Sequence, residues 1–143
     1  MEENKIYFID YSMDIPVVHL FLSDGSDLFA IIDSGSEVTL FDKKYAEEHL
    51  ACLKPYSMND KINMAGLSGN VDVNIMYLDT AVFPTYDYET AEKGEIPVKK
   101  AFIHDLTQLK NAIKDIDVSM VIGSDILSKL KAKLNYKERM MTW

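Results

Sequence analysis

The chain has 143 residues, 48% of them hydrophobic and 27% charged, which suits one soluble domain with a real core and excludes a disordered or fibrous class. Fifteen basic against 23 acidic side chains leave a net charge of -8, which excludes the clustered positive surface that binding to a phosphate backbone requires. The single cysteine, Cys52, excludes an intramolecular disulfide, and no run approaches the ~18 uninterrupted apolar residues of a membrane span. No basic stretch followed by an apolar run is seen in Met1 to Lys5, so the expectation is a cytoplasmic protein that binds neither nucleic acid nor membrane.

The elements read mostly as strands. Lys5 to Tyr11 and Pro16 to Leu22 are rich in β-branched and aromatic residues, and Leu28 to Asp33 is apolar again. The turn cluster Ser23 to Asp27, with its Asp-Gly, joins the latter two as a β-hairpin. Phe29 to Ile32 has no polar alternation, which predicts a strand buried on both faces. Asp42 is placed to cap a short helix over Lys43 to Leu50. Lys61 to Ala65 and Val71 to Leu78 flank a glycine-bearing tip, and Val71, Val73 and Ile75 alternate with Asp72 and Asn74 as in a half-exposed strand. Thr85 to Gly94 is polar and reads as an exposed loop. A strand follows at Ile96 to Ile103, then helical spacing from Leu106 to Ile116 and an apolar run at Val118 to Ile122. Ser124 is placed to cap a helix carrying Ile126, Leu127 and Leu130, and Ala132 to Trp143 reads as a closing hairpin.

One segment carries chemistry. In Ala30-Ile31-Ile32-Asp33-Ser34-Gly35-Ser36 a buried strand runs directly into a carboxylate, a hydroxyl and a glycine. A carboxylate there is costly unless its charge is partnered or its pKa moves, and Gly35 permits a tight turn and a close approach. Alone, Asp-Ser-Gly is a common turn tripeptide. Its surroundings resemble the retropepsin-like aspartic proteases. That family has the same order of parts: Ile31-Ile32-Asp33-Ser34-Gly35-Ser36, then Met64-Ala65-Gly66-Leu67-Ser68-Gly69 as a glycine-bearing flap, then Val121-Ile122-Gly123-Ser124-Asp125-Ile126-Leu127 entering the C-terminal helix. The likeness spans roughly residues 15 to 143. Ser34 stands where many members have Thr, and the stretch from Thr85 to Asp117 is longer than in compact viral enzymes.

The resemblance implies a mainly β fold with short helices, a retropepsin-like acid-protease β-barrel with one lobe per chain, in which residues 1–143 are a single domain. It implies an aspartic endopeptidase that needs no cofactor and acts on a peptide or protein substrate. Two carboxylates sharing one proton around a water are required, and the chain holds one Asp-Ser-Gly, so a homodimer would bring Asp33 of each copy together. Asp33 would be catalytic. Ser34, Gly35 and Ser36 would form the active-site loop, with the Ser34 hydroxyl bracing the paired loops. Ala65, Gly66, Leu67, Ser68 and Gly69 would form the flap over the substrate. Asp125 reads as a structural acid at the first turn of its helix.

Other chemistries have weaker support. His19, His49 and His104 are dispersed without zinc-ligand spacing, so no metal site is expected. Cys52 reads as an inert buried thiol, Gly66-Leu67-Ser68-Gly69 lacks the nucleophile-elbow pattern, and no phosphate-cradling Gly-Lys motif occurs. The rival outside the enzymes is a catalytically inactive peptide-binding or dimerisation module on the same fold, and within them a self-processing protease of a mobile element or phage polyprotein.

Overall fold

The computed structural model describes residues 4–9, 14–22, 25–66, 69–78, 82–86, 93–113 and 115–143. In chain order the elements are β1 (Lys5–Tyr7), β2 (Val17–Phe21), β3 (Asp27–Ile32), β4 (Leu40–Asp42), α1 (Lys43–Glu48), α2 (Leu50–Leu53), β5 (Pro55–Ser57), β6 (Lys61–Gly66), β7 (Gly69–Leu78), β8 (Val82–Tyr86), β9 (Lys93–Pro97), β10 (Lys100–His104), α3 (Thr107–Ala112), β11 (Val118–Ile122), α4 (Ser124–Leu130), β12 (Lys133–Asn135) and β13 (Met140–Thr142). The mainly β class with short helices is as expected.

Among the described residues two sheets form. A small one runs β1-β13-β12, and a large one runs β5-β7-β10-β4-β11-β3-β2-β8-β9 with β6 paired to β7. The large sheet is open, its path ending at β5 and β9, so the closed β-barrel expected from the resemblance is corrected to an open sheet. Prolines mark both ends, Pro55 opening β5 and Pro97 closing β9, and a residue without an N–H cannot extend a ladder.

At the centre, β11 lies parallel to β3 and antiparallel to β4, and all five of its residues are buried. β3 is covered on both sides, as its unbroken apolar run predicts. Leu28, Ala30 and Ile32 face the main core with Val18, Leu20, Phe41 and Met120. Ile31 and Val17 turn to a second cluster with Ile113 and Val118, against which Phe29, Leu109 and Ile116 pack. Complete burial of side chains such as Phe41 and Leu20 is worth about 1.5–3 kcal/mol each, and it fixes the register that carries Asp33 to the strand end.

Several expectations are redrawn. Val82–Tyr86 and Lys93–Pro97 pair as an antiparallel hairpin, so the polar loop placed at Thr85 to Gly94 is strand at both ends; 87–92 lie outside the described residues. The strand expected over Ile96 to Ile103 divides into β9 and β10, which are not neighbours in the strand order of the large sheet. β1 ends at Tyr7, and Asp10 and Tyr11 lie outside the described residues. The Asp-Gly hairpin holds, with Gly25 at φ 89° and Leu22 N donating to Ser26 O at 2.8 Å. The helix after Ile122 takes Gly123 as its N-cap and Ser124 as its first residue. α3 stops at Ala112, although Ile116 still packs beneath it.

Asp42 caps α1, its side chain accepting from Tyr45 N at 3.4 Å. It also reaches a remote element. Oδ1 accepts from Leu106 N at 3.0 Å, where α3 begins without a side-chain cap of its own, and Oδ2 accepts from Lys110 Nζ at 3.1 Å. Asp42 is 3% exposed, so this carboxylate depends on its partners. Burial acts to lower the Lys110 pKa, but the hydrogen bond and charge of Asp42, with Asp117 beyond, outweigh it and hold the ammonium above the ordinary lysine value. A raised folded-state pKa stabilises the fold below the unfolded value, and that contribution is lost as pH climbs through the folded one. Lys110→Met should cost about 1–2 kcal/mol in urea unfolding at neutral pH, discounted for partial exposure, and its deficit relative to wild type should shrink above pH ~10.4.

Candidate active site

Asp33 follows the last residue of β3 and is exposed. Its amide donates to Ile122 O at 2.9 Å, continuing the parallel β3–β11 pairing one step past the Ile32–Ile122 register. Its carboxylate is oriented locally, Oδ1 accepting from Gly35 N at 2.9 Å, while Ser36 N donates to Asp33 O at 3.1 Å. The acid is thus displayed at the surface on a rigid, buried strand. Ser34 and Gly35 are exposed beside it, and Ser36 is half-buried with Oγ donating to Val38 O at 2.7 Å.

The return of this loop is stitched to the junction between β11 and α4. Ser124 N donates to Ser36 O at 2.7 Å. Thr39, fully buried, has its Oγ1 accepting from Gly123 N at 3.1 Å and donating to Asp125 Oδ1 at 2.7 Å, while its amide donates to Asp125 Oδ2 at 3.1 Å. Phe102 N donates to Thr39 O at 2.9 Å, tying β10 to the same point. Asp125 is therefore engaged through both oxygens, which gives the structural role read from its place in the first turn a specific partner. Thr39 was not singled out by sequence; its one local sign is a hydroxyl between Val38 and Leu40, and the partners of that hydroxyl lie more than eighty residues away.

Thr39→Val keeps the side chain's shape but leaves the Gly123 amide without its acceptor and removes the hydroxyl donor to Asp125 Oδ1, which retains the Ile126 amide. A loss of about 2–3 kcal/mol in unfolding free energy is expected, with Thr39→Ser recovering most of it. Equal stability of wild type and the Val variant would show that the bridge carries no weight.

Gly123 is required for space. Its backbone, at φ -96° and ψ -179°, is ordinary extended chain, yet a Cβ there would stand 2.3 Å from Val38 O and 2.8 Å from Ser36 O. At Gly35 an added Cβ would come to 3.2 Å from Asp33 Oδ1, so the close approach inside this chain is to the acid itself.

Known structures share this fold. EIAV protease complexed with the inhibitor HBY-793 superposes over 89% of this chain and 99% of its own, with a TM-score of 0.50 at 15% identity. The retroviral protease-like domain of Ddi1 from Leishmania major superposes over 88% of this chain and 85% of its own, with a TM-score of 0.53 at 15% identity. The chain has the retropepsin-like fold. No family model and no curated protein matches the sequence, so the likeness is one of fold.

In this retropepsin-like fold the residues expected to form a flap fall at the joined ends of β6 and β7. They pair antiparallel from Lys61–Asn74 to Gly66–Gly69, with Ala65 opposite Asn70. Leu67 and Ser68, expected at its tip, lie outside the described residues. The remaining singled-out residues fall elsewhere. His19 Nε2 is 2.6 Å from Asp27 Oδ2 with its ring stacked on Phe29, and His49 Nδ1 is 2.8 Å from Tyr45 O. Cys52 is half-buried against the main core, where full burial was expected. Among the described residues no helix is long and apolar enough to cross a membrane.

Proposed function

We propose that this chain is one half of a homodimeric aspartic endopeptidase, with residues 1–143 as a single retropepsin-like domain. The observation that carries the reading is Asp33: an exposed carboxylate at the end of a strand buried on both faces, oriented by the Gly35 amide. Two copies would place one Asp33 each about a shared water. The ionised carboxylate would take a proton from the water as it attacks the scissile carbonyl carbon, and the protonated one would donate to the carbonyl oxygen. Collapse of the tetrahedral intermediate, with proton transfer to the departing nitrogen, would release the two peptides.

Ser34 would brace the paired loops through its hydroxyl, Gly35 and Ser36 would set the turn, and Ala65 to Gly69 would close over the substrate and offer it backbone hydrogen bonds. Because two adjacent carboxylates share a proton, activity should peak below neutrality; acid also relieves repulsion between two chains of charge -8.

The test is cleavage of a diverse peptide library, read by mass spectrometry from about pH 4 to pH 8, beside sedimentation velocity at micromolar concentration. Expected are cleavage strongest in acid and a species of twice the 16.3 kDa chain mass. A rate rising steadily from about pH 5 to pH 8 would count against the shared proton, and a strict monomer that cleaves would exclude the paired site. A folded dimer that cuts nothing would favour a peptide-binding module on the same fold.

A further inference from the structure

The loop that carries Asp33 also borders a cavity of about 450 Å³ to which the chemistry above assigns no role. Its floor is apolar: Phe102 and Ile126 are buried, and Val38 and Leu130 half-buried. Lys99, Lys100 and Lys129 stand exposed around it. Among the described residues none of the three forms an ion pair; Lys100 instead holds its Nζ 5.3 Å from the centroid of the Phe102 ring. Asp125 lines the cavity too, but both its oxygens are engaged by Thr39 and Oδ1 also accepts from Ile126 N.

Three ammonium groups without an ion-pair partner among the described residues, set around apolar side chains, form a local excess of positive charge. The ligand that complements both halves carries carboxylates next to a large apolar side chain. An inorganic anion would leave the floor empty. A nucleic acid or an anionic membrane would need a broader basic face than three lysines supply. An acidic peptide segment fits, and Val38, which lines the cavity, lies in the loop that follows Asp33.

We propose that this trough binds an acidic stretch of the substrate chain, its carboxylates on Lys99, Lys100 and Lys129 and an apolar side chain on Phe102 and Ile126. This names the substrate class for the endopeptidase reading and rests on it, but the binding step itself requires no catalysis.

The experiment is fluorescence anisotropy with the full-length Asp33→Asn protein and a labelled Glu-Glu-Leu-Phe-Glu-Glu peptide, beside its Lys-Lys-Leu-Phe-Lys-Lys counterpart. The acidic peptide should bind and the basic one should not. Lys99→Glu with Lys129→Glu should weaken binding about tenfold or more, as expected for attraction turned into repulsion at two sites. Lys43→Glu with Lys44→Glu, an equal charge change on α1, should leave it nearly unchanged. Equal binding of the two peptides, indifference to the Lys99 and Lys129 reversals, or displacement by equimolar inorganic phosphate would overturn the proposal. If the acidic peptide binds as expected while the wild type cleaves no peptide, the endopeptidase reading fails and the trough stands. If the wild type cleaves peptides regardless of their acidic content, the reverse holds.

Discussion

Asp33→Asn should reduce peptide cleavage by about 10³-fold or more, the scale of a lost general acid–base pair, while leaving the fold almost untouched. The asymmetry comes from what the side chain does locally. Asn keeps an Oδ1 that can accept from Gly35 N, as the carboxylate does at 2.9 Å, so the turn retains its hydrogen bond. Asp33 is exposed, so no buried charge is lost or stranded, and unfolding free energy should move by no more than about 0.5 kcal/mol. What disappears is the ability to carry and exchange a proton. Cleavage by the variant at the wild-type rate, with its fold and sedimentation unchanged, would remove Asp33 from the chemistry altogether.

Gly123→Ala should be the most damaging single-methyl change in this region. The added carbon would meet Val38 O at 2.3 Å, Val38 C at 2.6 Å and Ser36 O at 2.8 Å, all main-chain atoms. Those atoms cannot yield freely, because Ser36 O accepts from Ser124 N and the Gly123 amide is held by Thr39 Oγ1. Relief requires prising the Asp33 loop off the start of α4. A loss of about 3 kcal/mol or more is expected, at the upper end of overpacking costs, with the remaining folded fraction impaired in cleavage as well. Gly25→Ala is the instructive contrast. At φ 89° the backbone disfavours a side chain, but nothing lies within 4 Å of the new Cβ, so about 1 kcal/mol is expected. Urea midpoints for the two variants separate lack of room from backbone strain. Similar midpoints would show that the loop can shift to admit the methyl.

Much of this architecture was legible because local pattern and burial agree. The period-2 alternation around Val73 and Ile75, the apolar Val118–Ile122, the Asp-Gly turn and the Asp42 cap each express a force acting within a few residues. The Thr85–Tyr86 end of β8 and the Lys93–Gly94 start of β9 escaped because they carry no apolar alternation, and ladder pairing by the backbone leaves no mark in such a sequence. The division between β9 and β10 was hidden in a continuous β-prone run, where Pro97 ends the ladder although the apolar pattern continues through Val98. Ser124 looked like a cap by residue type, yet its amide serves Ser36 O and Gly123 takes the capping position. At the site, the Asp33 to Ser36 loop could be read directly. Its bracing by Thr39 and Asp125 could not, since a hydrogen bond between remote segments leaves no periodic trace.

The parallel pairing of Ile32 with Ile122 has a bearing on when the site can exist. β3 is made well before its central neighbour β11 and the amide of Gly123. Until then the segment bearing Asp33 lacks the strand that buries one edge and the junction that ties down its loop. Non-local pairings of this kind form late and slowly, since loop-closure entropy must be overcome before any contact rewards it. A ribosome-bound fragment ending before Val118 would carry the carboxylate without its geometry. The order in which the chain emerges would thus act as a timer, keeping the Asp33 loop without its bracing until β11 and Gly123 have been made.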